Sequence, residues 1–164
     1  MNKEIYLAGG CFWGVEKYFQ ALPGILDTDV GYANGYTENP TYDEVCSGTT
    51  GHAETLHVVY DAGLVDLNYI LGHLYNIIDP TTKNRQGPDM GEQYRTGVYF
   101  TDPAEEAVIA ESLNSLQKLY SAPVVVENLL LSCYYKAEEY HQKYLDKNPG
   151  GYCHIPQSKF NAQS

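Results

Sequence analysis

The chain has 164 residues, with 21 acidic side chains against 10 Lys and Arg, and its formal net charge of −11 repels phosphate backbones and anionic membrane surfaces. Nucleic-acid and membrane partners are therefore not expected. A hydrophobic fraction of 43% with 19% charged residues belongs to a globular chain, and no apolar run nears the roughly 20 residues that span a bilayer. The length suits one domain over 1–164 that needs no disulfide staples. The start at Met1, without an apolar leader, sets a cytoplasmic location as the default expectation.

In chain order, Ile5 to Leu7 reads as a buried strand that runs into Gly9-Gly10, and Cys11 to Leu22 as a helix stopped by Pro23-Gly24. A strand is expected from Ile25 to Tyr32, then a Gly-, Asn- and Pro-containing loop from Ala33 to Thr41. Glu54 to Tyr60 alternates, with Leu56, Val58 and Tyr60 on one face, and Glu54 shares their parity. Asp66 caps a helix whose apolar positions Leu67, Ile70, Leu71, Leu74, Ile77 and Ile78 recur at helical spacing up to Asp79-Pro80. Thr81 to Tyr94 is a long aperiodic loop and Thr96 to Phe100 a strand. Asp102-Pro103 starts a helix with the stripe Ile109, Leu113, Leu116 and Tyr120, followed by a strand over Pro123 to Leu131 and a last helix over Ala137 to Leu145. Residues 148–164 read as an irregular tail. The mixture predicts an α+β fold of two layers, helices packed on a mixed, mostly antiparallel sheet.

The cysteines stand at 11, 46, 133 and 153 with no CxxC pair and no zinc-like spacing, so neither a metal nor a cofactor is expected. Cys11 lies at a strand-to-helix turn, where free N–H groups and the helix dipole favour thiolate over thiol. It is the candidate nucleophile, expected to be exposed and readily ionised. Phe12 and Trp13 beside it can wall an apolar slot for a methylthio-like group, since sulfur is attracted to aromatic rings. Glu54, on an apolar strand face, should be desolvated and hold a proton near neutral pH, which makes it the candidate general acid. Glu16 reads instead as a first-turn residue on the helix dipole. Cys153, on a Gly-rich tail, is a candidate resolving thiol, while Cys46 and Cys133 border apolar segments and are expected to be buried. Tyrosine is abundant, 16 residues against 4 Phe and 1 Trp, and some of its hydroxyls should do polar work. Two rival readings use the same residues. In one, His52 or His57 is the base of a cysteine hydrolase; in the other, Trp13 and tyrosines cage a methylated cation.

Five motifs, GCFWG at 10–14, GYANGYTENPTYDEVCSGTTGHAE at 31–54, DPTTKNRQGPDMGEQYR at 79–95, AEEYHQKYL at 137–145 and GYCHI at 151–155, resemble the A-type peptide methionine sulfoxide reductases, in the same order. The resemblance implies a ferredoxin-like plait and the reduction of methionine S-sulfoxide, free or in proteins. It implies that Cys11 attacks the sulfoxide, that Phe12 and Trp13 hold its S-methyl group, and that Glu54 is the acid. Tyr42 and Tyr94 would hydrogen-bond the sulfoxide oxygen, Asp89 would contact the substrate backbone, and Cys153 would resolve a Cys11 sulfenic acid in one disulfide step. Thioredoxin or a similar dithiol would be the partner of a monomer. Pro88, Met90 and Glu92 depart from the usual residues of the 79–95 loop, which touches loop conformation rather than chemistry.

Overall fold

The computed structural model describes residues 1–161. Six strands form one sheet in the order β7-β6-β1-β3-β2-β8, where β1 is Asn2–Gly9, β2 Ile25–Ala33, β3 Ala53–Asp61, β6 Thr96–Phe100, β7 Glu127–Leu130 and β8 Tyr134–Lys136. All neighbours are antiparallel except β6 and β7. With α1 (Phe12–Gln20), α2 (Tyr42–Cys46) and α3 (Leu67–Ile77), the central run β1-α1-β2-β3-α3-β6 in the order β6-β1-β3-β2 is the ferredoxin-like plait, as expected. Two-residue strands β4 (Arg85–Gln86) and β5 (Asp89–Met90) pair within the long loop, and α4 (Glu105–Gln117) crosses from β6 to β7.

Register explains the layers. Ile5 pairs with Val58 and Leu7 with Leu56, so these four side chains share a face, and all are fully buried beneath α1 and α3. Val15, Phe19, Ile70 and Leu74 fill that core from the helices. On the other face, Tyr6, Ala8, Ala33, Ala53 and Tyr99 form a second, smaller cluster. Asp66 caps α3 by accepting from the Tyr69 N–H at 2.8 Å, as its sequence position predicts.

Several boundaries differ from expectation. β1 begins at Asn2 because its polar first half pairs with β3 out to Asp61. The Pro123–Leu131 strand shrinks to β7. Ala137 to Leu145 is not one helix: a 3-10 turn spans Glu139–His141, Lys143 is left-handed at φ 53°, and a short α5 covers Tyr144–Lys147. The tail is not wholly irregular, since α6 spans Gln157–Asn161.

Candidate active site

Gly9 and Gly10 turn the chain out of β1. Gly10 takes φ +90°, and a Cβ there would stand 2.8 Å from Gln86, so the turn admits no side chain. Cys11 is thereby placed as the N-cap of α1, with the Trp13 N–H near its sulfur. The thiol is buried, 7% exposed, and its pKa lies well above the usual range. Burial is the main cause and the Glu54 carboxyl the next; the Trp13 N–H opposes them, and Asp89 and Cys153 add smaller upward effects. This corrects the expectation of an exposed, ionised sulfur. One helical N–H does not outweigh desolvation together with a neighbouring carboxyl.

Glu54 lies on β3 opposite Tyr32, on the apolar face, 1% exposed. One oxygen accepts from the Phe12 N–H at 3.1 Å, and the other, Oε2, has no partner. Burial pushes its pKa up to about 8, the Phe12 N–H pulls the other way, and Asp89 raises it. At neutral pH it is an acid with its proton in place, as parity predicts.

Tyr42 and Tyr94 face the same carboxyl. A capping box of Thr41 and Glu44 starts α2, and the Tyr42 N–H donates to Glu138 at 2.9 Å. After burial, the Glu54 charge is the largest influence on both phenols, and Tyr94 also feels Cys11, so both stay protonated donors. Asp89, on β5, accepts from the Tyr152 hydroxyl at 2.9 Å. Cys153 is half-buried, its thiol pointing to the Ile155 carbonyl at 3.7 Å, and its Sγ stands 2.9 Å from where a Cβ on Gly14 would be. Glycine at 14 therefore keeps open the place that the tail thiol fills, on the first turn of α1. All eight candidates, Cys11, Phe12, Trp13, Tyr42, Glu54, Asp89, Tyr94 and Cys153, meet around the N-terminus of that helix.

The aromatic wall is larger than the sequence suggests. Trp13 stacks on Tyr144 at 3.8 Å and donates from Nε1 to His141 Nδ1 at 3.0 Å, while His141 also packs on Phe12 and Tyr42. A single helix over 137–145 gives these partners no place in a site, although AEEYHQKYL contains both. Trp13 has one face covered by Tyr144, which disfavours a cation cage. The hydrolase reading loses its bases. His57 sits on the opposite face of the sheet between Glu4 and Asp29, at 2.7 and 3.0 Å, and His52 packs beside Tyr135. Contrary to expectation Cys46 is exposed, at the last turn of α2 where its thiol meets the Tyr42 hydroxyl, and Cys133 is half-buried beside the Gly35 carbonyl.

A family model described as peptide methionine sulfoxide reductase matches residues 3–164. The chain is 56% identical over 162 residues to a protein of Lachnoclostridium phytofermentans named peptide methionine sulfoxide reductase MsrA, covering 99% of this chain and 98% of that one. The crystal structure of Mxr1 from Saccharomyces cerevisiae in reduced form superposes with a TM-score of 0.86 at 40% identity, over 93% of this chain and 88% of that chain. Mxr1 in complex with Trx2 matches less closely, with a TM-score of 0.63 at 25% identity over 87% and 84% of the two chains. The buried acid beside a helix-capping thiol and the match over almost the whole length lead to one conclusion: this chain belongs to the peptide methionine sulfoxide reductase family.

Proposed function

We propose that the chain reduces methionine S-sulfoxide, free or in proteins, through a sulfenic acid on Cys11 and a Cys11–Cys153 disulfide that a thioredoxin-like dithiol re-reduces. The observation that carries this reading is Glu54, which is buried and protonated, with one oxygen tied to the Phe12 N–H and the other unpartnered next to the thiol. A buried oxygen without a partner fits a site that waits for one. A sulfoxide oxygen supplies it.

The two shifted groups then explain each other. The sulfoxide oxygen takes the Glu54 proton while the Tyr42 and Tyr94 hydroxyls share its developing charge. The carboxylate left behind draws the proton from Cys11, whose sulfur attacks the substrate sulfur. The oxygen passes to Cys11, methionine leaves as the thioether, and Glu54 ends neutral again, so thiol plus sulfoxide becomes sulfenic acid plus thioether. Cys11 thus ionises only with substrate in place, which suits a resting site that holds both protons. Cys153 next forms an S–S bond to Cys11 as the S–O bond breaks and water departs. A dithiol returns two electrons and two protons by exchange at the disulfide. The Mxr1–Trx2 complex supports a thioredoxin in that role.

The test is a reaction of the reduced protein with methionine sulfoxide without reductant, followed by peptide mapping. The expected result is one methionine released per chain and a peptide joining Cys11 to Cys153. Retained turnover by a Cys11→Ser variant with dithiothreitol would end the proposal.

A further inference from the structure

His154 follows the tail thiol directly, and its two ring nitrogens have different fates. Nε2 lies 3.1 Å from the Gly9 carbonyl, an acceptor only, so Nε2 carries the hydrogen and donates it. In the neutral ring this fixes Nδ1 as the bare nitrogen. Nδ1 is fully buried and has no hydrogen-bond partner. It lies 3.4 Å from the point where a Cβ on Gly14 would stand, and the Cys153 Sγ lies 2.9 Å from that same point. The glycine thus leaves one small gap, on the first turn behind Cys11, that a thiol and an unpaired imidazole nitrogen share. A buried acceptor without a donor beside a thiol that must lose its proton calls for an explanation.

We infer that His154 Nδ1 receives the Cys153 proton when Cys153 condenses with the Cys11 sulfenic acid. The assignment rests on the proposed reductase reading, which supplies that sulfenic acid. In the step, the Cys153 S–H bond breaks as the S–S bond to Cys11 forms. The S–O bond of the sulfenic acid breaks, and its hydroxyl leaves as water with the proton that Glu54 holds. Thiol and sulfenic acid become disulfide and water, and the imidazolium and carboxylate left behind return to neutral by one proton transfer through solvent. Burial holds the His154 pKa below the ordinary value, while the Gly9 contact and the Asp89 charge act against it, so the base is unprotonated at neutral pH. Asp89 and the Cys153 thiol are the titratable groups that face it, and Tyr152 shields part of the Asp89 charge by donating to it.

The experiment follows one turnover without reductant from about pH 5 to pH 8, with released methionine and remaining thiols counted in the same quenched samples. In His154→Gln the amide can still donate to the Gly9 carbonyl but offers no base. The expected outcome is a disulfide that forms about 100-fold more slowly per methionine released, within the usual range for a lost general base. The wild-type acid limb, placed below the ordinary histidine range, should vanish with it. A His154→Gln protein with the wild-type rate or acid limb overturns the assignment, as does slowing in His154→Ala alone, because the ring would then only tie the tail down. If His154→Gln does not fold, imidazole added to His154→Ala decides: recovery of disulfide formation supports the assignment and no recovery overturns it. Wild-type protein that releases no methionine would instead overturn the reading of the site.

Discussion

Glu54 has a pKa of about 8 in the folded protein against 4.5 for an ordinary glutamate. Between those values the folded state binds the extra proton, so stability falls as pH rises through the window and is fully kept only below it. At pH 7 the burden is on the order of 3 kcal/mol, at 1.36 kcal/mol per unit. Glu54→Gln removes the titration and the acid together. Turnover should fall by roughly 10²- to 10⁴-fold, while the melting temperature of the variant gains on wild type from about pH 5 to about pH 8. A difference in melting temperature that stays flat across that range would show that Glu54 is not the group held neutral. Wild-type activity should likewise decline above about pH 8 as this acid ionises. The residue was legible because strand alternation alone put it on the apolar face. The state of Cys11 was not legible from GCFWG, since the neighbours that add to the effect of burial, Glu54, Asp89 and Cys153, are all remote in sequence.

At the scale of elements, α3 could be read from its apolar periodicity and its Asp66 cap because its own side chains decide it. The segment after β8 could not, because its partners are elsewhere. The Gln142 side chain accepts from the Val30 N–H at 2.9 Å and donates to the Val30 carbonyl at 2.8 Å, while the Ala137 N–H also reaches that carbonyl. An amide side chain thus extends the ladder of β2 past β8 and holds 137–142 out of a helix. Next to it, Lys143 takes the left-handed backbone and gives its N–H to Glu16 at 2.7 Å and its ammonium at 3.1 Å, with Thr28 donating to the same carboxylate at 2.8 Å. Glu16 is therefore not a first-turn dipole residue but the buried fastening of α1, 1% exposed. Glu16→Ala leaves the Lys143 N–H and the Thr28 hydroxyl without acceptor, and should cost about 3 kcal/mol, the low end for a broken buried pair because the Lys143 ammonium keeps the Thr28 carbonyl at 2.7 Å and water. The urea midpoint should drop accordingly, and Glu16→Gln, which still accepts from Thr28, should fall between the two. An unchanged midpoint in Glu16→Ala would show that α1 is held by its apolar face alone.

Over the whole molecule, the face of the sheet turned away from the site carries a second polar system. His57 lies between Glu4 at 2.7 Å and Asp29 at 3.0 Å, Tyr6 stacks on its ring at 4.5 Å, and the Tyr134 hydroxyl donates to Asp29. Gly31 makes this possible, since a Cβ there would stand 2.6 Å from the Tyr134 ring. Burial alone would lower the His57 pKa, but the two carboxylates prevail and raise it. A raised folded value means that the ion pairs contribute fully below the unfolded histidine value of 6.5 and are lost as pH rises through the folded one. Burial acts to raise the Asp29 pKa, but His57 and Tyr134 prevail and lower it, so Asp29 contributes above the ordinary aspartate value and loses that only in acid. The net charge of −11 adds repulsion that also grows with pH, so with the Glu54 titration the stability of the whole chain should decline from weakly acidic to weakly basic conditions for three reasons. Salt separates them, because it screens dispersed surface charge more than a half-buried pair. Raising the ionic strength should flatten part of the decline in both wild type and His57→Gln, and at high salt the wild type should keep a melting temperature steeper in pH than the variant, by about 2–4 °C between pH 6 and pH 8. Equal slopes at high salt would assign the decline to net charge and Glu54, leaving His57 as packing for Tyr6.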